Sequence, residues 1–147
     1  KFSVFECALK RAGFLVHEQP SQTGRLPAAE ANWDRLGSEI RGAFKLATVP
    51  GLAEAVTELK QRAPRRQVVR SGGLRWEPVV QGAGESEELF TIRLLKTARN
   101  NLFHGGKYPD GSVDEIAHDR AILRAGLTIL DGLYEVHGGV RSEIDAA

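Results

Sequence analysis

The sequence contains one cysteine, no methionine and no long apolar run. Cys7 alone cannot close an intramolecular disulfide, and no C-x-x-C pair is present. Both facts argue against a disulfide scaffold or a structural zinc site and favour a reducing, cytoplasmic setting. No apolar stretch approaches the ~20 residues needed to cross a bilayer, and the residues after Lys1 lack a signal-peptide layout, so no membrane association is expected. Neither sign of charge dominates. The 20 basic and 19 acidic side chains leave a formal charge of +1, which excludes a globally polycationic nucleic-acid binder and a long charged tail. Without any methionine, Lys1 reads as a position inside an originally longer chain. What remains is 147 residues, 41% hydrophobic and 27% charged, the balance of a single globular domain over 1–147 with one core.

Apolar spacing predicts the elements. Phe2, Phe5, Leu9 and Ala12 recur near helical spacing within residues 2–16. From Ala28 to Ala47, the positions Trp33, Leu36, Ile40, Phe44 and Ala47 share one face of a second helix, and Trp33 fits its core side. Leu52, Val56 and Leu59 make a short stripe that Pro64 stops, either a short helix or an extension of the second. Residues 65–84 change character, with two short extended runs around Gly72 and Gly73 that predict a small hairpin or loop. Pro78 confines the second run to an edge. Residues 85–104 return to a helical pattern, opened by Glu85, Glu87 and Glu88 at the positive end of the helix dipole and closed by Gly105 and Gly106. The last helix opens with a capping box, Ser112 and Glu115, carries the stripe Ile116, Leu123, Leu127, Leu130 and Tyr134, and fades at Gly138 and Gly139. The expected fold is all-α: an up-and-down bundle of four main helices plus a short helix, with a small β-hairpin or loop insertion near 65–84.

Cofactor signatures fail one by one. Gly105, Gly106 and Lys107 are followed by Tyr108 where a P-loop requires Ser or Thr, and no strand precedes them. The glycines at 72–73 and 82–84 do not match a dinucleotide fingerprint. His17, His104, His118 and His137 are too dispersed for a predictable metal site; no metal and no cofactor is expected, and His118 and His137 read as ordinary helix-surface residues. The segment that stands apart runs from Arg99 to Tyr108. On a helical wheel Leu89, Ile92, Leu95, Leu102 and Phe103 form one apolar face, and Arg99, four after Leu95 and three before Leu102, falls inside it. A guanidinium there needs a buried carboxylate, a subunit interface or an anionic ligand in a cleft. His104 follows five positions later, about 140° round the helix, and Asn100 shares the face of His104. Spacing alone decides little, since Arg11 and His17 are similarly separated. A structural ion pair for Arg99 and a dipole-favoured cation for His104 are the plain alternative.

The run from Arg99 through Asn100 to His104, with a polar residue directly after the arginine at the end of the penultimate helix of a small helical domain, resembles the HEPN superfamily. Its hallmark is R-x4-6-H, and Arg99, Asn100 and His104 match it residue by residue over about ten residues. The tyrosine that the HEPN partners of nucleotidyltransferase antitoxins carry two residues after the histidine is Gly106 here.

The resemblance implies a metal-independent endoribonuclease that cleaves RNA through its own 2′-hydroxyl, with a composite site across a homodimer. It also implies a toxin or effector role in prokaryotic defence or toxin-antitoxin systems, with an antitoxin or regulatory protein as a further partner. The chemistry suits the residues. His104 transfers protons, Arg99 holds the phosphorane oxyanions with a permanently charged fork, and Asn100 orients either of them. A local basic surface is also present: Lys60, Arg62, Arg65, Arg66, Arg70 and Arg75 occur without an acid between Lys60 and Trp76, a segment charge of +6. Arg65, Arg66, Arg70, Arg75, Trp76, Lys107 and Tyr108 are therefore the expected RNA contacts, Trp76 as a stacking platform. The alternatives are a non-catalytic HEPN module for RNA or nucleotide binding, dimerisation or sensing, and a purely structural helical bundle.

Overall fold

Local signals set the order of elements along the computed structural model, which describes residues 1–19, 24, 26–103 and 113–147, and the side chains of all of these except Phe103, Val113, Asp114 and Glu115. Helix α1, Phe2–Arg11, buries Phe5, Ala8 and Leu9 and ends on Lys10 and Arg11, cations that suit the negative end of its dipole. After a turn at Ala12 and Gly13, Leu15 forms an isolated antiparallel bridge with Ala31. Asn32 caps helix α2, Trp33–Glu39, its side chain accepting from the Arg35 N–H at 3.0 Å. A single turn of 3-10 helix, Ala43–Lys45, leads to α3, Leu52–Gln61. Strands β1, Arg65–Arg70, and β2, Gly73–Pro78, form an antiparallel hairpin; helices α4, Glu87–Phe103, α5, Val113–Val136, and α6, Gly138–Asp145, complete the order. The protein is thus mostly helical, with one small two-stranded hairpin among the described residues.

One cluster of buried side chains draws on all six helices. Leu9, Leu36, Leu59, Ile92, Leu95, Ile129, Leu133 and Val140 are fully enclosed, each from α1 to α6 being represented. Helix α3 packs chiefly on α5, α2 on α4, and α1 on α6. Trp33 lies in this core stacked on Phe5, the ring centroids 5.6 Å apart, as its place in the periodicity predicts. No helix among the described residues is long and apolar enough to cross a membrane.

Four expectations about the helices need correction. The second helix is shorter than 28–47, because α2 stops at Glu39 and Gly42 adopts a left-handed φ of +80° that a continuing helix cannot hold. Gly138 and Gly139 open a sixth helix instead of ending the fifth. The His137 imidazole Nδ1 accepts from the Val140 N–H at 3.1 Å and caps it, so His137 is a half-buried cap and not an ordinary surface residue. On α5 the buried face is Ile122, Ala125, Ile129, Leu130 and Leu133, while Ile116 and Leu127 of the expected stripe are exposed. Ser112 lies outside the described residues, and so does the Glu115 side chain that would complete its capping box.

The start of α4 is held from several sides. Ser86 Oγ accepts from the Leu89 N–H, and Glu87 pairs with Lys60 of α3. Glu85 pairs with Arg93 at 2.7 Å and accepts from the Gly82 N–H at 2.7 Å. Burial pushes the Glu85 carboxyl up, yet those hydrogen bonds and the guanidinium charge outweigh it and hold it below the usual carboxylate value. Helix α2 approaches α4 so closely at Gly37 that a Cβ there would sit 2.9 Å from the Leu89 Cα. Backbone cannot yield as a side chain can, so Gly37→Val is expected to lower stability by about 3 kcal/mol. The urea midpoint of unfolding measures it, and an unchanged midpoint would rule out this close approach.

Candidate functional site

The last two turns of α4 carry the residues singled out by the sequence. Buried Ile92, Leu94, Leu95 and Ala98 fix the rotation of the helix, which leaves Arg99, Asn100 and Asn101 half-buried along its flank. Arg99 does not sit within the buried stripe as the wheel predicts. The core side runs through Leu94 and Ala98, and Arg99 borders it.

Arg99 has the carboxylate partner its position requires. Its Nη2 lies 2.6 Å from Glu6 Oε2 on α1, with side-chain exposures of 28% and 19%, too enclosed for solvent to screen the pair fully. Arg99 Nη1 also donates to Asn100 Oδ1 at 3.0 Å. The guanidinium is therefore oriented by a carboxylate from one element and an amide from its own helix. Asn100 accepts from Arg99 and so positions it. Glu6 escapes sequence reasoning, being 93 positions away. Its signal is modest: it is the one acid within α1 and borders the buried Phe5 and Leu9.

The hairpin completes the surroundings. Ser71 and Gly72, with φ of 47° and 77°, form its two-residue turn. Positive φ at both positions matches a type I′ turn, whose twist suits the flanking strands; the turn therefore sits one residue earlier than the Gly72–Gly73 pair predicts. Register pairs Gln67 with Trp76 and Val69 with Leu74, so these four share one face, while Arg66, Arg70 and Arg75 occupy the other. Asn101 Nδ2 donates to the Arg65 carbonyl at 2.9 Å and fastens the base of β1 to α4.

Between the hairpin and α4 lies a groove of about 360 Å³, lined by Arg66, Gln67, Trp76, Lys96, Thr97, Asn100 and Asn101. The fold thus brings together Asn100 of the expected catalytic set with Arg66 and Trp76 of the expected RNA contacts. The basic run is partly neutralised. Lys60 pairs with Glu87, Arg62 with Glu58 at 3.0 Å, and Arg70 with Glu77 at 2.7 Å, which ties Arg70 down as a strand-to-strand contact. Among the described residues no carboxylate pairs with Arg65, Arg66 or Arg75. His104, Lys107 and Tyr108 lie outside the described residues. No group of three or more His, Cys, Asp or Glu suited to hold a metal ion occurs among the described residues.

Comparisons with protein-family models, with curated proteins and with solved structures each find no match.

Proposed function

We propose that the chain is a HEPN-type endoribonuclease that needs no metal, built on an up-and-down bundle of four main helices with the hairpin inserted between the third and fourth α-helices. The observation that carries this reading is the groove at the end of α4, where Asn100, next to the oriented Arg99, faces Gln67 and Trp76 of the hairpin. An RNA strand seated in this groove would bring a neighbouring phosphate beside the arginine that stabilises its transition state.

In the proposed reaction a base removes the proton of the 2′-hydroxyl, and the alkoxide attacks the adjacent phosphorus. The 5′-oxygen then leaves, taking a proton from an acid. The products are a 2′,3′-cyclic phosphate and a 5′-hydroxyl. His104 transfers the protons and Arg99 stabilises the phosphorane oxyanions. One chain supplies one His104, so a twofold homodimer supplies both acid and base. Lys107 and Tyr108 hold the RNA backbone next to His104. The setting is the cytoplasm, and the role is that of a toxin or defence effector restrained by an antitoxin or regulatory protein.

The Arg99–Glu6 pair favours a second reading, because a guanidinium already neutralised by a carboxylate suits a binding or dimerisation module without catalysis. Incubating the purified protein with mixed RNA in EDTA separates the two. Fragments ending in 2′,3′-cyclic phosphate, with the corresponding DNA intact, are the expected result. RNA retained on the protein but never cut would replace the nuclease by the binding module.

A further inference from the structure

We infer that the groove between the hairpin and α4 is a reading site for one unpaired nucleobase of a single-stranded RNA, distinct from the position of the scissile phosphate. The inference rests on the RNA-directed reading above and adds to it a substrate class and the residues that choose among bases. Its volume of about 360 Å³ is at the small end of the ~300–1,000 Å³ range of ligand sites, enough for one nucleotide and far too little for a helix.

The lining has the chemistry of a nucleotide. Lys96 supplies positive charge, Trp76 supplies an aromatic plane, and no carboxylate is among the described residues that line the groove. Three amides supply hydrogen-bonding edges, and existing bonds divide their roles. Asn101 has committed its Nδ2 to the Arg65 carbonyl, which leaves its Oδ1 as an acceptor. Asn100 has committed its Oδ1 to Arg99, which leaves its Nδ2 as a donor. Gln67, exposed and directly paired with Trp76 across the strands, has both ends of its amide uncommitted among the described residues. A donor and an acceptor on adjacent helix residues face an adaptable amide across the groove, whose lining also includes the Trp76 indole. A ligand that is anionic, planar and edged with mixed donors and acceptors satisfies all of them. A nucleotide with an unpaired base fits that description, its phosphate supplying the charge, whereas a paired base has its Watson–Crick edge occupied.

The test uses a fluorescein-labelled 2′-O-methyl oligonucleotide in four homopolymer forms, with affinity read by anisotropy at low salt. This probe carries no 2′-hydroxyl nucleophile, so binding is read whether or not the chain cuts RNA, and cleavage is assayed separately on unmodified RNA. Wild type is expected to bind the four probes with unequal affinities. Gln67→Ala is expected to change the order of those affinities, and Trp76→Leu to weaken all of them about tenfold, in the range of one lost base stack. Gln67 is exposed on the hairpin, so its variant remains informative even where Trp76→Leu perturbs the fold. Unchanged order in Gln67→Ala overturns base reading, and absence of binding by wild type overturns the site altogether. Altered order without RNA cleavage keeps this site and removes the nuclease.

Discussion

His104→Ala is expected to slow RNA cleavage by about 10²–10⁴-fold, the range over which a positioned acid or base accelerates proton transfer. The rate on a defined RNA, with end groups analysed, measures it. Because acid and base are both imidazoles in the proposed dimer, the wild-type rate should follow a bell-shaped curve on pH, rising as one loses its proton and falling as the other does. The two limbs belong to the coupled pair and not to either residue. Cleavage by His104→Ala at the wild-type rate would sink the mechanism, whatever the fate of RNA binding.

Arg99→Ala is expected to cost about 10²–10³-fold in the same assay, comparable to removing one oxyanion donor. Arg99→Lys should recover little of it, since an ammonium cannot present two parallel donors to a phosphate. This residue also has a structural partner, so its loss must be divided between chemistry and folding. Removing the guanidinium strands Glu6, whose side chain is only 19% exposed, and a destabilisation of about 1–3 kcal/mol follows, between the values for exposed and fully buried pairs. Glu6→Gln separates the effects. It keeps an acceptor for Arg99 while removing the charge, so it should unfold at nearly the wild-type urea concentration and retain most of the activity. If instead Glu6→Gln and Arg99→Ala lose stability and activity in parallel, the ion pair is architecture and the helical-bundle reading prevails.

The sequence made some of this legible and hid the rest for identifiable reasons. Helix α4 was readable because its signals agree: acids in the first turn, periodic apolar residues, glycines beyond its end. The hairpin was readable because Pro78 and the turn residues interrupt helical periodicity. On α5 the large leucines misled. The face that meets α3 and α4 is marked by small residues, with Gly132 facing Leu52 at 2.8 Å from a notional Cβ and Gly126 facing Leu95 at 3.1 Å. Close packing selects what is absent as much as what is apolar. Gly42 was similarly concealed, since the apolar positions continue past it at helical spacing although the backbone does not. At the site, local sequence put Arg99 and Asn100 near the end of a helix, where α4 carries them, although Arg99 borders the buried face instead of lying inside it. It could not supply Glu6, because nothing in a linear pattern says that the middle of α1 reaches the last turns of α4. Gln67, Lys96, Thr97 and Asn101 were missed because polar residues on exposed strands and helix flanks carry no signal until the fold sets them around one groove.

The single bond from Asn101 to the Arg65 carbonyl has a mechanical meaning. It joins the root of the hairpin to the helical turn that follows Arg99, so under the proposed nuclease reading a strand pulled by the hairpin's arginines would exert its force on the turn that carries the chemistry. In that reading grip and cut would share one lever. Residues that touch no RNA, at this joint, would set how faithfully tension at the tip becomes alignment at the phosphate.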